Sequence, residues 1–219
     1  MPWKIRSKLR ASKKFLLKKT VRRTRAQSRI FQLSNTVAVL GEASAGKTTI
    51  CRKLTSKMYP DGFERATEYY NVDISLNSKG ILCKHELSVH DTPGNLRETF
   101  PHLYETVIRN SDTFILVFSL ASSSGLSVIY RTLNDLKNIK GTNVPILIIA
   151  NKADVESNTE TDIKNRYKFY RDIATLNLPI SEISLAQNTD MKRHWIPLLV
   201  DFEERHDIIR GRDPTIVVT

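Results

Sequence analysis

The chain is short of sulfur and of long apolar stretches, and one whole region lacks acid. Two cysteines in 219 residues, Cys51 and Cys83, supply neither a disulfide framework nor a zinc-binding spacing. Both read as small buried hydrophobes, and their scarcity fits a reducing, intracellular compartment. The longest apolar runs, Phe114 to Leu120 and Pro145 to Ala150, fall far below the roughly 18 residues of a membrane-crossing helix, so no integral membrane protein is expected. No cysteine follows Cys83, so no prenyl or palmitoyl anchor is expected on the C-terminal tail. Pro2 after Met1 likewise argues against N-myristoylation.

Acid is absent from residues 1–30, which carry twelve Lys or Arg. The formal charge of +11 therefore resides there, because the rest of the chain holds 22 basic against 23 acidic side chains. Trp3, Ile5, Leu9, Phe15, Leu16, Leu17 and Val21 interleave with these cations. A helix of this composition can lie on an anionic membrane, each basic residue contributing about 1 kcal/mol. The Lys13-Lys14, Lys18-Lys19 and Arg22-Arg23 clusters also suit nuclear import or nonspecific RNA or DNA contact. A mitochondrial presequence fits less well, given six lysines, and a solvated disordered tail is the bland alternative. The chain divides into this extension (1–30), one domain (31–206) and a tail (207–219).

What the domain does have is a run of buried strands and helical stripes. Thr36 to Leu40, Phe114 to Phe118, Pro145 to Ala150 and Leu178 to Ser184 read as strands, the middle two apolar throughout, as in a parallel sheet covered on both faces. Asn71 to Leu76 and Ile81 to His90 flank a turn-rich link and read as an antiparallel hairpin at the sheet edge. Helices are expected over Lys47 to Met58, Leu126 to Ile139, Asp162 to Thr175 and Met191 to Glu204. The order implies an α/β fold, a mostly parallel, doubly wound sheet with helices on both faces.

Three motifs each follow a strand and should share the carboxyl rim of that sheet. Gly41-Glu42-Ala43-Ser44-Ala45-Gly46-Lys47-Thr48-Thr49 matches G-x-x-x-x-G-K-[ST]. Its glycines turn backbone N–H groups onto a phosphate, Lys47 neutralises charge, and Thr48 can ligate Mg²⁺. Asp91-Thr92-Pro93-Gly94 matches D-x-x-G: the carboxylate can hold Mg²⁺ through water, and the Gly94 N–H can sense a γ-phosphate. Asn151-Lys152-Ala153-Asp154 places a carboxylate able to accept two N–H bonds from the guanine edge, which adenine cannot offer.

With these three in order, the chain resembles a Ras-type small GTPase over roughly Thr36 to Glu204. The resemblance implies a P-loop GTPase fold with a six-stranded, mostly parallel sheet, GTP or GDP with Mg²⁺ as ligands, and a monomeric switch. Effector proteins, an exchange factor and a GTPase-activating protein are the implied partners. It implies that Thr67 is the switch I threonine binding Mg²⁺ and γ-phosphate, and that Tyr59 lies against guanine, although a helix-end packing role suits Tyr59 equally. The fifth family motif, usually S-A-K, stands here as Ser184-Leu185-Ala186, which keeps backbone contact to the base but loses the lysine.

Two departures touch hydrolysis. The family's water-orienting glutamine is replaced by Asn95, and a glycine common in the phosphate loop is replaced by Ala43. A displacement of roughly 1 Å in the orienting amide can cost about 10²-fold in rate, so slow intrinsic hydrolysis is expected. These two replacements, with no terminal lipid signal, are similar to those of the kappa-B-Ras subgroup. The alternative to a hydrolysing switch is a scaffold that holds guanine nucleotide and acts through protein contacts. The expected location is intracellular: cytoplasm, a peripheral membrane face, or nucleus, with the mitochondrion a weaker candidate.

Overall fold

The computed structural model describes residues 29–55, 68–78, 81–154, 178–185, 191–205 and 217–218, with scattered positions between 164 and 175. Residues 1–28, Tyr59, Thr67 and Ala186 lie outside the described residues, as does the boundary at 206. In chain order the elements are β1 (Arg29–Gly41), α1 (Lys47–Thr55), β2 (Glu68–Ser78), β3 (Ile81–Asp91), α2 (Leu96–Thr99), α3 (Pro101–Asn110) and β4 (Thr113–Ser119). After them come α4 (Gly125–Lys140), β5 (Ile146–Asn151), β6 (Ile180–Glu182), α5 (Met191–Arg205) and β7 (Val217–Val218).

The sheet runs β6-β5-β4-β1-β3-β2-β7. β1 pairs in parallel with β3 and β4, and β4 with β5 and β5 with β6 are parallel too. β2 and β3 form the expected antiparallel hairpin, aligned from Glu68 opposite Asp91 to Ser78 opposite Ile81. The six-stranded sheet is thus present, and the two-residue β7 adds to its β2 edge by pairing with Leu76 and Asn77.

Strand alternation divides the core into two layers. Val37, Val39, Ile115, Val117, Leu147 and Ile149 face α1 and α5, where Ile50, Leu54, Trp195, Leu198 and Leu199 are buried. Ala38, Leu40, Phe114, Leu116, Phe118 and Ile148 face α3 and α4, against Val107, Ile108, Ile129 and Leu136. Successive side chains of one strand point to opposite faces, so strands covered on both sides must be apolar at every position, and β4 and β5 are buried along their whole length. α4 takes the expected stripe and ends at Gly141, whose φ of 90° suits a helix-terminating glycine.

β1 starts at Arg29 rather than Thr36. Its extra residues pair only with the lower half of β3, from Ile81 to Asn35's partner Leu87, whereas β4 joins β1 at Val37. A buried His85–Glu203 pair at 2.7 Å ties that half of β3 to α5. Along the upper rim the chain reverses from the β3 side of β1 to the β4 side, which places the turns after β1, β3, β4, β5 and β6 around one crevice.

Candidate nucleotide site

The turn after β1 carries the phosphate loop. Gly41 has φ 151° and a side chain there would collide with the Val117 carbonyl, so the strand-to-loop exit admits only glycine. Gly46, with φ 101°, closes the loop against the Asn151 side chain. Ser44 also adopts a positive φ, 58°, which turns the intervening backbone. Lys47 is buried at the first position of α1, and its Nζ donates to the carbonyl oxygens of Glu42 at 2.6 Å and Gly41 at 3.1 Å. Those bonds hold the ammonium over the concave side of the loop. Thr48, the next residue, lies in the first turn of this helix, whose N-terminal N–H groups add to the anion-binding character.

The turn after β3 comes to the same place. Asp91 is buried at the end of the strand, and Thr92 donates through Oγ1 to the Val39 carbonyl at 2.6 Å, fastening this turn to β1. Gly94 lies against the backbone of Ala43: a β-carbon on it would come within 2.3 Å of the Ala43 nitrogen. The D-x-x-G turn and the phosphate loop thus meet backbone to backbone. Asn95 follows, exposed, at the N-cap of α2 with no side-chain capping bond, so its amide is not committed to the helix. The helices beyond are held to α4. Arg97 makes two bonds to Asp135, Tyr104 donates to the same carboxylate, and Arg131 pairs with Glu98. Sequence analysis missed α3, although Tyr104, Val107 and Ile108 show its helical spacing.

The base-recognition turns close the crevice. Asn151 donates through Nδ2 to the Ala45 carbonyl at 2.8 Å, joining the turn after β5 to the phosphate loop, while its Oδ1 is buried without a partner among the described residues. Lys152 turns the chain with φ 62°. The Ala153 N–H then donates to the Ile183 carbonyl, which binds this turn to the segment after β6. Asp154 is exposed, and Ser184 donates through Oγ to its Oδ1 at 2.5 Å. That bond, helped by the residue's own backbone N–H, holds the Asp154 carboxyl below the usual aspartate range. Replacing Ser184 with Ala is expected to raise the Asp154 midpoint in a carboxyl-carbon NMR titration. An unchanged midpoint would contradict this arrangement.

Leu185 replaces the alanine of the usual fifth motif and is held from α1: Lys53 donates through Nζ to its carbonyl at 2.5 Å. Its Cδ1 approaches Gly46 closely, so the side chain packs on the phosphate loop. The structure therefore brings together Gly41 to Thr49, Asp91, Gly94, Asn95, Asn151, Lys152, Asp154, Ser184 and Leu185 on one rim.

The residues fit a guanine nucleotide with Mg²⁺. Close packing at Gly41, Gly46 and Gly94 leaves no room for a β-carbon and keeps the loop backbone in the conformation that a phosphate-binding turn requires. Thr48 and Asp91 would hold the ion with phosphate oxygens completing its shell, the usual pattern for Mg²⁺.

A G-x-x-x-x-G-K-T loop and an N-K-x-D turn on the carboxyl rim of a doubly wound sheet define a P-loop nucleotide-binding protein. The Ras family model matches residues 36–202, and the chain belongs to the Ras family, whose members are GTP-binding switch proteins. It is similar to Ras-related protein RabZ of Dictyostelium discoideum, 26% identical over 166 residues, covering 74% of this chain and 69% of that protein. It is also 26% identical to Ras-related protein Rab-1C of the same organism over 170 residues, covering 77% and 80%. GTP-binding protein drn-1 of Caenorhabditis elegans is 26% identical over 183 residues, covering 81% and 80%.

Proposed function

We propose that this chain is an intracellular signalling switch that binds GTP and GDP with Mg²⁺ and hydrolyses GTP slowly. The observation that carries the reading is the joining of three motifs through the phosphate loop: Gly94 against Ala43, Asn151 on Ala45, and Lys47 held over the loop. Lys47 would neutralise the β- and γ-phosphates, and Gly94 would donate its N–H to the γ-phosphate. Thr67, together with Thr48 and Asp91, would hold Mg²⁺, which when bound supplies charge stabilisation on the phosphate oxygens. Asp154 would accept the guanine N1 and N2 protons, and the Leu185 backbone would face the base, with Tyr59 and Ala186 beside it.

Asn95 would orient the attacking water, with a shorter side chain than the family's glutamine. Its exposure and uncommitted amide support that role, and a methyl at Ala43 would narrow the space for an activating arginine. The kappa-B-Ras likeness belongs to the same reading. Effectors would dock on the Thr67 to Val72 edge, where Tyr69 is 64% exposed. The basic extension would supply contact to an anionic membrane or to nucleic acid.

Single-turnover phosphate release from GTP-loaded protein tests the hydrolysis step. Release over minutes to hours is expected, with Asn95→Gln faster by up to about 10²-fold. A rate unaffected by Asn95→Gln would remove Asn95 from the mechanism, and lasting retention of GTP would favour the scaffold.

A further inference from the structure

We infer that the Glu42 side chain is a positioning residue that braces the phosphate loop on α4 and does not itself contact nucleotide. The inference rests on the nucleotide-switch reading and assigns a role within that site. Glu42 is the second residue of the loop, and its carboxylate accepts from three groups of the β4–α4 connection. These are the Ser119 N–H at 3.4 Å, the Ser122 hydroxyl at 2.9 Å and the Ser124 hydroxyl at 3.0 Å. Ser122 and Ser124 also bond to each other at 3.1 Å, so Oε2 of Glu42 ends in a hydroxyl network while Oε1 takes the backbone N–H of Ser119.

Two features show that α4 is arranged around this carboxylate. Ser124 is the N-cap of α4, yet its hydroxyl makes no capping bond and is given to Glu42 instead. The helix gives up an ordinary cap, and the Glu42 charge at its N-terminus offsets that loss by facing the positive end of the dipole. Gly125, the first residue of α4, is buried, and a β-carbon on it would come within 2.8 Å of Glu42 Oε1. A glycine in the first turn of a sixteen-residue helix is thus explained by the room the carboxylate needs.

The backbone of the same residue reaches the reactive side of the loop, because the Glu42 carbonyl accepts from Lys47 Nζ at 2.6 Å. Fixing the Glu42 side chain on α4 therefore fixes the carbonyl that aims Lys47. α4 also carries Asp135 and Arg131, which hold Arg97, Tyr104 and Glu98 of α2 and α3. One helix braces both the phosphate loop and the segment that follows the γ-phosphate sensor. A charged group losing three such bonds is expected to loosen the loop more than it unfolds the domain.

The test is the dissociation rate of a fluorescent GDP analogue, measured with Mg²⁺ beside the melting temperature of each variant. Glu42→Ala is expected to speed release by about ten-fold, the scale of one charged hydrogen bond. The double replacement Ser122→Ala with Ser124→Ala should do the same from the other side, and combining it with Glu42→Ala should add little further. Gly125→Ala, which lies outside the phosphate loop and the nucleotide motifs, should also speed release by displacing the Glu42 carboxylate. If Glu42→Ala fails to fold, the serine and glycine variants decide the matter. Release within two-fold of wild type in those variants, or effects that add fully in the combination, would overturn the inference while leaving the nucleotide reading intact. Wild-type protein that takes up no guanine nucleotide after chelation and reloading would overturn both.

Discussion

Replacing Asp154 with Ala is expected to lower affinity for GDP by about 10² to 10⁴-fold and to abolish the preference for guanine over adenine nucleotides. The magnitude follows from two charge-assisted hydrogen bonds to the base, each worth a factor of ten or more once the base shields them from water. Selectivity falls with affinity because a site built around hydrogen bonds rejects a ligand that cannot make them, and that rejection disappears with the acceptor. The geometry on which this rests is preorganised. Ser184 holds Oδ1 of Asp154, and the Ala153 N–H bond to Ile183 fixes the turn that carries the carboxylate. Asp154→Asn is the matched control, since it keeps the size and the Ser184 contact but offers a donor where an acceptor is needed. It should lose guanine preference as well. Competition of GDP and ADP against a fluorescent guanine nucleotide reads both quantities, and an unchanged ratio in Asp154→Ala would remove this residue from base recognition.

Gly46→Ala is expected to be as damaging for a different reason. The native φ of 101° strains any residue with a β-carbon, at a cost of about 1–3 kcal/mol. The new methyl would also lie 2.3 Å from Asn151 Nδ2, the atom that donates to Ala45. Moving Asn151 breaks a buried hydrogen bond, worth a further 1–3 kcal/mol or so when a polar group is left unsatisfied. A combined loss of about 2–6 kcal/mol would fall on the phosphate loop and on its link to the turn after β5. Nucleotide retention should drop by at least about 30-fold, and the melting temperature of the nucleotide-free protein should fall. Calorimetric titration with GDP and thermal unfolding monitored together check this. Affinity within a few-fold of wild type would mean that the loop can adopt another closed form.

Much of this was legible before any coordinate, and the reason differs by element. β4 and β5 could be read because burial on both faces demands an unbroken apolar run, and the loops that carry chemistry are marked by glycines and charges that ordinary turns do not need. The first part of β1 was not legible. Arg29 ends the charged segment, and Gln32, Ser34 and Asn35 break up the apolar Ile30, Phe31 and Leu33, so only pairing with the lower half of β3 marks the stretch as a strand. α3 escaped notice because the exposed Phe100 and Leu103 interrupt the two-sided pattern that the buried Tyr104, Val107 and Ile108 follow. β7 is a matter of tertiary pairing at an edge, and two valines near the chain end carry no local signal for it.

Within the site the backbone roles were easier to foresee than the side-chain roles. That Gly41, Gly46 and Gly94 must be glycine follows from motif and is explained by three close approaches of backbone or side chain. The bond from Ser184 to Asp154 joins residues 30 apart and fixes the charge of a base-recognition group, yet Ser184 could be named in advance only as part of a weakened motif. Lys53 at the Leu185 carbonyl had no signal at all, since nothing in α1 indicates which loop its side chains will meet. Where the fifth motif has lost its lysine, Leu185 packing beside Gly46 and the Lys53 bond supply contacts that hold the segment in place.

Whether the crevice is a guanine-nucleotide site is decided by identifying the nucleotide that the protein carries. Full-length protein purified in the presence of Mg²⁺ would be denatured, and the released small molecules separated and quantified by chromatography against nucleotide standards. The account predicts GDP or GTP approaching one equivalent per chain, lost when Mg²⁺ is chelated and regained on reloading with guanine but not adenine nucleotides. Protein that carries none and cannot be loaded, or that takes up ATP as readily as GTP, would contradict it.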